Sequence, residues 1–157
     1  KKWLQVMETY ETGSHVYHTT MPTDALARTR DAMLETRARG FAKLRAEQEQ
    51  IGAAVRALLE RHGYKSVAAA GFEAPCVVVS YTDDPGLATS KAFLDLGLQT
   101  AAGVPLQCDE GADFKSFRIG LFGLEKLGQT ERSVAPLEQA LQAIAHGKQQ
   151  RPAAAAD

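Results

Sequence analysis

Phe117-Arg118-Ile119-Gly120-Leu121-Phe122-Gly123 opens with apolar side chains at every second position. That alternation places Phe117, Ile119 and Leu121 on one face of a short strand and Ser116, Arg118 and Gly120 on the other. The first set belongs in a core. Arg118 is then carried on rigid backbone over the second face, with open space beside it at Gly120 and the strand's end punctuated by Gly123. A guanidinium held this way suits either of two partners, a local Asp or Glu, or the planar carboxylate of a ligand gripped by two parallel hydrogen bonds. Lys could not make that fork.

Upstream of the strand, residues 107–113 read as a polar loop, and residues 98–102 and 104–106 as short strand candidates broken by Gly103 and Pro105. Residues 87–96 read as a short helix stopped by Gly97, after a turn at Thr82-Asp83-Asp84-Pro85-Gly86. The run Cys76-Val77-Val78-Val79-Ser80-Tyr81 is a strand of the buried type. Downstream, a turn through Gly128 leads to a last helix with Val134, Leu137, Leu141 and Ile144 on its apolar face. Pro136 fits only a first turn, which favours Ser133 over Thr130 as the cap. The N-terminal part is helical at residues 3–12, extended or looping at 15–22, and helical again over 24–62, where Thr23 is the expected cap and Gly40 a kink or break. Leu26, Met33 and Leu34 begin an apolar stripe that Phe41, Leu44, Ile51, Val55, Leu58 and Leu59 continue. Helices, then strand, helix, strands and helix, make an α+β (α/β) layer, a small mixed or antiparallel sheet with helices on one face.

A chain of 157 residues with 45% hydrophobic and 24% charged residues can bury one sizeable core. A net charge of −1 gives no general attraction to nucleic acid or an anionic membrane, so neither is expected as a partner. Cys76 and Cys108 have no metal-ligand spacing and read as two reduced thiols of a cytoplasmic protein. His15, His18, His62 and His146 share no ligand spacing with each other or with the cysteines, so no metal site is expected. No apolar run approaches the roughly 20 residues of a membrane span. The chain opens Lys1-Lys2-Trp3 without Met. Because an initiator Met is normally trimmed only before a small residue, a piece of a longer protein is expected.

The Phe117–Gly123 stretch, followed by a polar turn and a last amphipathic helix, resembles the C-terminal part of class V aminotransferases. These are fold-type-I enzymes using pyridoxal 5'-phosphate (PLP), of the alanine–glyoxylate and serine–pyruvate type. A second piece, Tyr17-His18-Thr19-Thr20-Met21-Pro22, is similar to a Tyr-His-His-Thr segment of that family, with Thr19 where the second His would be. The resemblance implies that residues 1–40 are the end of a large domain with the helix crossing from it, residues 41–148 a C-terminal small domain, and residues 149–157 a disordered tail. It also implies that Tyr17 and Thr20 bind the PLP phosphate of a partner subunit in a homodimer, and that Arg118 holds the carboxylate of amino acid and 2-oxo acid substrates.

The resemblance also implies a Schiff-base lysine upstream. Lys43, Lys65, Lys91, Lys115, Lys126 and Lys148 match no such context, so the segment alone is expected to be inactive and to contain no catalytic residue. Ser80-Tyr81-Thr82-Asp83-Asp84-Pro85 together with Phe117-Arg118-Ile119-Gly120 is similar as well to 2-aminoethylphosphonate–pyruvate transaminases, the alternative within the class. The alternative from another class is a non-catalytic α+β module that binds a ligand or partner.

Overall fold

The computed structural model describes residues 1–18 and 20–149 and divides the chain into two compact units, Lys1–Ala38 and the part from Arg39 onward. Thr19 and residues 150–157, which hold most of the expected tail, lie outside the described residues.

In the first unit, helix α1 (Lys2–Glu11) ends before Gly13, whose φ of +76° reverses the chain at a backbone angle other residues avoid. Helix α2 begins at Thr23 and runs to Arg39. The Leu26 N–H bonds the Pro22 carbonyl at 3.0 Å, so Thr23 is the first helical residue and not the cap expected of it. Pro suits the junction because it has no N–H to leave unsatisfied. Neither helix contains a buried residue.

The second unit holds the core. Gly40, at φ +89°, breaks the expected 24–62 helix, and α3 (Phe41–Arg61) starts beyond it. The α3 residues Leu44, Ile51, Val55, Leu58 and Leu59 are buried at helical spacing, whereas Phe41, in the first turn, is 69% exposed and drops out of the stripe. Gly63, at φ +82°, lets the Tyr64 N–H return to the Leu59 carbonyl. Strand β1 (Val77–Tyr81) leads to α4 (Pro85–Ala88), where the Asp84 carboxylate accepts from the Gly86 and Leu87 N–H groups and Pro85 occupies the first turn.

The single helix expected over 87–96 is in fact two short turns, α4 and α5 (Lys91–Leu94). Ser90 between them has φ +63°, which no continuous α-helix allows. Of the strand candidates 98–102 and 104–106, only β2 (Ala101–Ala102) forms. Beyond it the Gly103 N–H turns to the Ala88 carbonyl, and Pro105 has no N–H for a ladder.

Strand β3 (Ser116–Gly120) is central in a three-stranded, fully antiparallel sheet of order β1-β3-β2. A short 3-10 turn (Leu124–Lys126) joins it to α6 (Thr130–Gln149). That helix opens at Thr130, not at Ser133. The Ser133 N–H already bonds the Gln129 carbonyl, its hydroxyl reaches back to the Lys126 carbonyl, and Pro136 lies past the first turn.

The register pairs Val78 with Ile119 and Ser80 with Phe117, all four buried, so one face of the sheet carries the core. Leu87, Phe93, Leu137, Ala140 and Leu141 join that face and the α3 stripe in one cluster. Phe117 is fully buried, its ring edge-on to Tyr64 at 5.4 Å between centroids and tilted against Phe93 at 5.6 Å. Phe117→Ala should therefore cost about 3–5 kcal/mol of unfolding free energy in urea titration of the chain. A loss below about 1 kcal/mol would show that this ring does not hold the sheet to its helices.

Candidate functional site

On the sheet's second face, Arg118 lies between Val79 on β1 and Ala101 on β2. Ala101 is too small to crowd a long side chain. The Arg118 side chain is half-buried, and its Nε–H donates to the Ala102 carbonyl at 2.9 Å. Among the described residues, no carboxylate pairs with Arg118 and no hydrogen bond engages its Nη1 or Nη2. Of the two partners open to it on sequence grounds, the local Asp or Glu is thus not found among the described residues. With Nε anchored, the two Nη groups remain as an end-on fork of the kind that matches a planar carboxylate.

Ser116, two residues before Arg118 on the same face, is buried despite its place there, because Gly103 packs against its backbone. A cleft of about 370 Å³ opens beside it, lined by Gly103, Pro105, Glu110, Phe114, Lys115 and Ser116 among others. The loop bounding the cleft is organised by one carboxylate. Glu110 accepts the N–H groups of Leu106 (2.5 Å), Gln107 (2.9 Å) and Cys108 (2.8 Å). The bond from Cys108, then those from Gln107 and from Glu110's own N–H, push its carboxyl down to about 2. In sequence these residues read only as a polar loop. The nest requires positive φ at Gln107 (+59°) and Asp109 (+66°), neither of them a glycine that would have signalled it. Desolvation, and secondarily the Glu110 charge, push the Cys108 thiol up, away from the reactive thiolate.

In the first unit, the structure brings Tyr17 and Thr20 together. Their hydroxyls are 3.3 Å apart and both residues are exposed, Tyr17 at 83%. Two adjacent hydroxyls that each can donate and accept are chemically suited to the oxygens of one phosphate. His18 packs edge-on against Trp3 at 4.7 Å.

Of the lysines, Lys91 is paired with Asp95 at 2.8 Å and Lys126 with Glu125 at 2.6 Å. Among the described residues, no group of three or more His, Cys, Asp or Glu side chains is placed to hold a metal ion, and no helix is long and apolar enough to cross a membrane.

No family model and no curated protein matches the chain. Solved structures do. Alanine–glyoxylate aminotransferase from Nostoc sp. superposes with a TM-score of 0.69 at 20% identity, over 90% of this chain and 36% of that one. Serine palmitoyltransferase from Sphingomonas wittichii superposes with a TM-score of 0.56 at 18% identity, over 84% of this chain and 32% of that one. The chain shares its fold with a part of each of these structures. It spans about a third of the length of these structures.

The Glu110 nest yields a pH test. A carboxyl that titrates near 2 when folded, against 4.5 ordinarily, contributes stability that is fully present above 4.5 and lost as pH falls through about 2. The amide resonances of Leu106, Gln107 and Cys108 should accordingly move together with a midpoint near 2, and Glu110→Gln should abolish the transition. A shared midpoint at the ordinary carboxyl value would mean that the nest does not hold the charge.

Proposed function

We propose that the chain is the C-terminal portion of a PLP-dependent aminotransferase of class V, which moves an amino group between a small amino acid and a 2-oxo acid. In this reading Arg118 holds the substrate's α-carboxylate, and Tyr17 with Thr20 completes the phosphate site of the partner subunit in a homodimer. The observation that carries it is the Arg118 guanidinium, fixed through Nε to a backbone carbonyl while both Nη groups have no partner among the described residues. A fold shared with parts of two solved enzymes, an alanine–glyoxylate aminotransferase among them, supports the class. The free thiols Cys76 and Cys108 accord with a reducing, cytoplasmic setting.

Bound PLP supplies the electron sink for the bond broken at the substrate's α-carbon. This chain's residues contribute position. A fork gripping both carboxylate oxygens fixes the plane of that group, and with it the direction in which the α-carbon's bonds point. The hydroxyls of Tyr17 and Thr20 donate to phosphate oxygens and hold the cofactor in place without taking part in proton transfer.

Two tests follow in the full-length protein. Arg118→Ala should lower kcat/KM for amino acids and 2-oxo acids by about 2–5 kcal/mol in transition-state binding. Arg118→Lys, which keeps the charge but loses the fork, should fall between the two. Amines without a carboxylate should be nearly unaffected. Equal losses on both substrate kinds, tracking a lower melting temperature, would make Arg118 a structural residue. Separately, Tyr17→Phe combined with Thr20→Ala should weaken PLP retention by about 1.5–3 kcal/mol for each lost bond to the charged phosphate. Turnover at saturating cofactor should change less. Dialysis against buffer without PLP measures this, and retention equal to the parent's would remove the two hydroxyls from the phosphate site.

A further inference from the structure

We propose that Gly103 is a positioning residue for Arg118. The lack of a side chain at 103 lets the end of β2 lie directly on the backbone of Ser116, and this seat fixes the Ala102 carbonyl that anchors the guanidinium. The consequence for substrate binding rests on the reading of Arg118 as the carboxylate grip.

The geometry leaves no room for any larger residue. A methyl group at 103 would come to 2.0 Å from the Ser116 carbonyl oxygen, 2.7 Å from its carbon and 2.8 Å from Oγ. Two of these are backbone atoms of the central strand, which cannot swing aside as the end of a side chain can. Gly103 is not among the glycines with positive φ, so its backbone angles are open to alanine and only space forbids it. On its other side the Gly103 N–H is tied to the Ala88 carbonyl at 3.0 Å, so the segment is held between α4 and β3 and has little freedom to back away. Ala102, immediately before it in the chain, carries the carbonyl that receives the Arg118 Nε–H. Displacing 103 therefore moves the acceptor. The guanidinium, free to rotate about its last bonds, then no longer presents Nη1 and Nη2 in one direction. Gly52 supplies a matched comparison. A methyl there would meet the Pro75 carbonyl oxygen at 2.7 Å, again a backbone clash, but on α3 and not in the sheet.

The test reads the anchor directly. With arginine labelled in 15N, the Arg118 Nε–H of the chain should exchange slowly with solvent. Gly103→Ala should speed that exchange about tenfold or more, and Gly52→Ala should leave it unchanged while lowering the melting temperature. In the full-length protein Gly103→Ala should raise KM for amino acids and 2-oxo acids by about 3- to 10-fold, the worth of one orienting hydrogen bond. The change in kcat should be smaller, and amines without a carboxylate should show no effect. An Nε–H that stays protected in Gly103→Ala overturns the proposal, as does a KM effect shared with Gly52→Ala. If Gly103→Ala does not fold, the unsubstituted chain decides: a rapidly exchanging Arg118 Nε–H overturns the anchor, and a protected one upholds it. Failure of the underlying reading looks different, because Arg118→Ala would then spare carboxylate substrates while the Nε–H result at Gly103 still stood.

Discussion

Burial of Phe117 between Tyr64 and Phe93 sets the phase of the central strand, and with it everything the sheet presents on its other side. Side chains alternate along β3, so the ring in the core and the guanidinium beside it are two outcomes of one constraint. A slip of one residue would expose Phe117 and Ile119 and drive Arg118 into the core. Burying a cation without a partner costs several kcal/mol, and the aromatic contacts would be lost at the same time. The register is also held from both edges. Arg118 faces Val79 on one neighbour and Ala101 on the other, so neither strand can shift alone without breaking a ladder.

The two units differ in kind. From Arg39 onward, helices and sheet share one buried cluster. In the first 38 residues Trp3, Leu4, Met7 and Tyr10 lie exposed on α1, and Met33 and Leu34 on α2. A helix of α1's length is marginal in water on its own. In the enzyme proposed here, the same segment carries the two hydroxyls assigned to a phosphate. Their exposure is then what the role requires, since a residue serving another subunit must reach outward from its own.

Much of the second unit was legible in the sequence because its signals are local and strongly periodic. The α3 stripe, the run at 76–81 and the alternation at 117–121 each repeat one period long enough to read. The misses share a different cause. Ser90, Gln107 and Asp109 adopt positive φ without being glycine, and tertiary contacts enforce those angles where no propensity announces them. This is why a helix expected over 87–96 is two turns, and why the Glu110 nest reads in sequence only as polar loop. The strand expected over 98–102 shrank to Ala101–Ala102, since the Leu98 N–H turns back to the Phe93 carbonyl before it and the Gly103 N–H turns to α4 after it. Arg118 could be placed on a face from its neighbours alone, but its anchor could not. The Ala102 carbonyl lies 16 residues away and belongs to backbone, which carries no signature in a sequence.

That the anchor is a carbonyl and not a carboxylate matters for what Arg118 can do. A carboxylate on Nε would orient the guanidinium equally well, but it would bring a negative charge within a few ångströms of any anion bound at Nη1 and Nη2. Two unit charges 4 Å apart interact by about 4 kcal/mol at the effective dielectric of a protein surface. A hydrogen bond from the guanidinium to a neutral carbonyl contributes about 1.5–3 kcal/mol, and its acceptor brings no charge of its own. With the backbone as its anchor, the side chain keeps its full positive charge toward the open side of the sheet. Orientation and charge are thereby supplied by separate groups. A short β2 is sufficient for this, because its part is to present one carbonyl in a fixed place and not to bury surface.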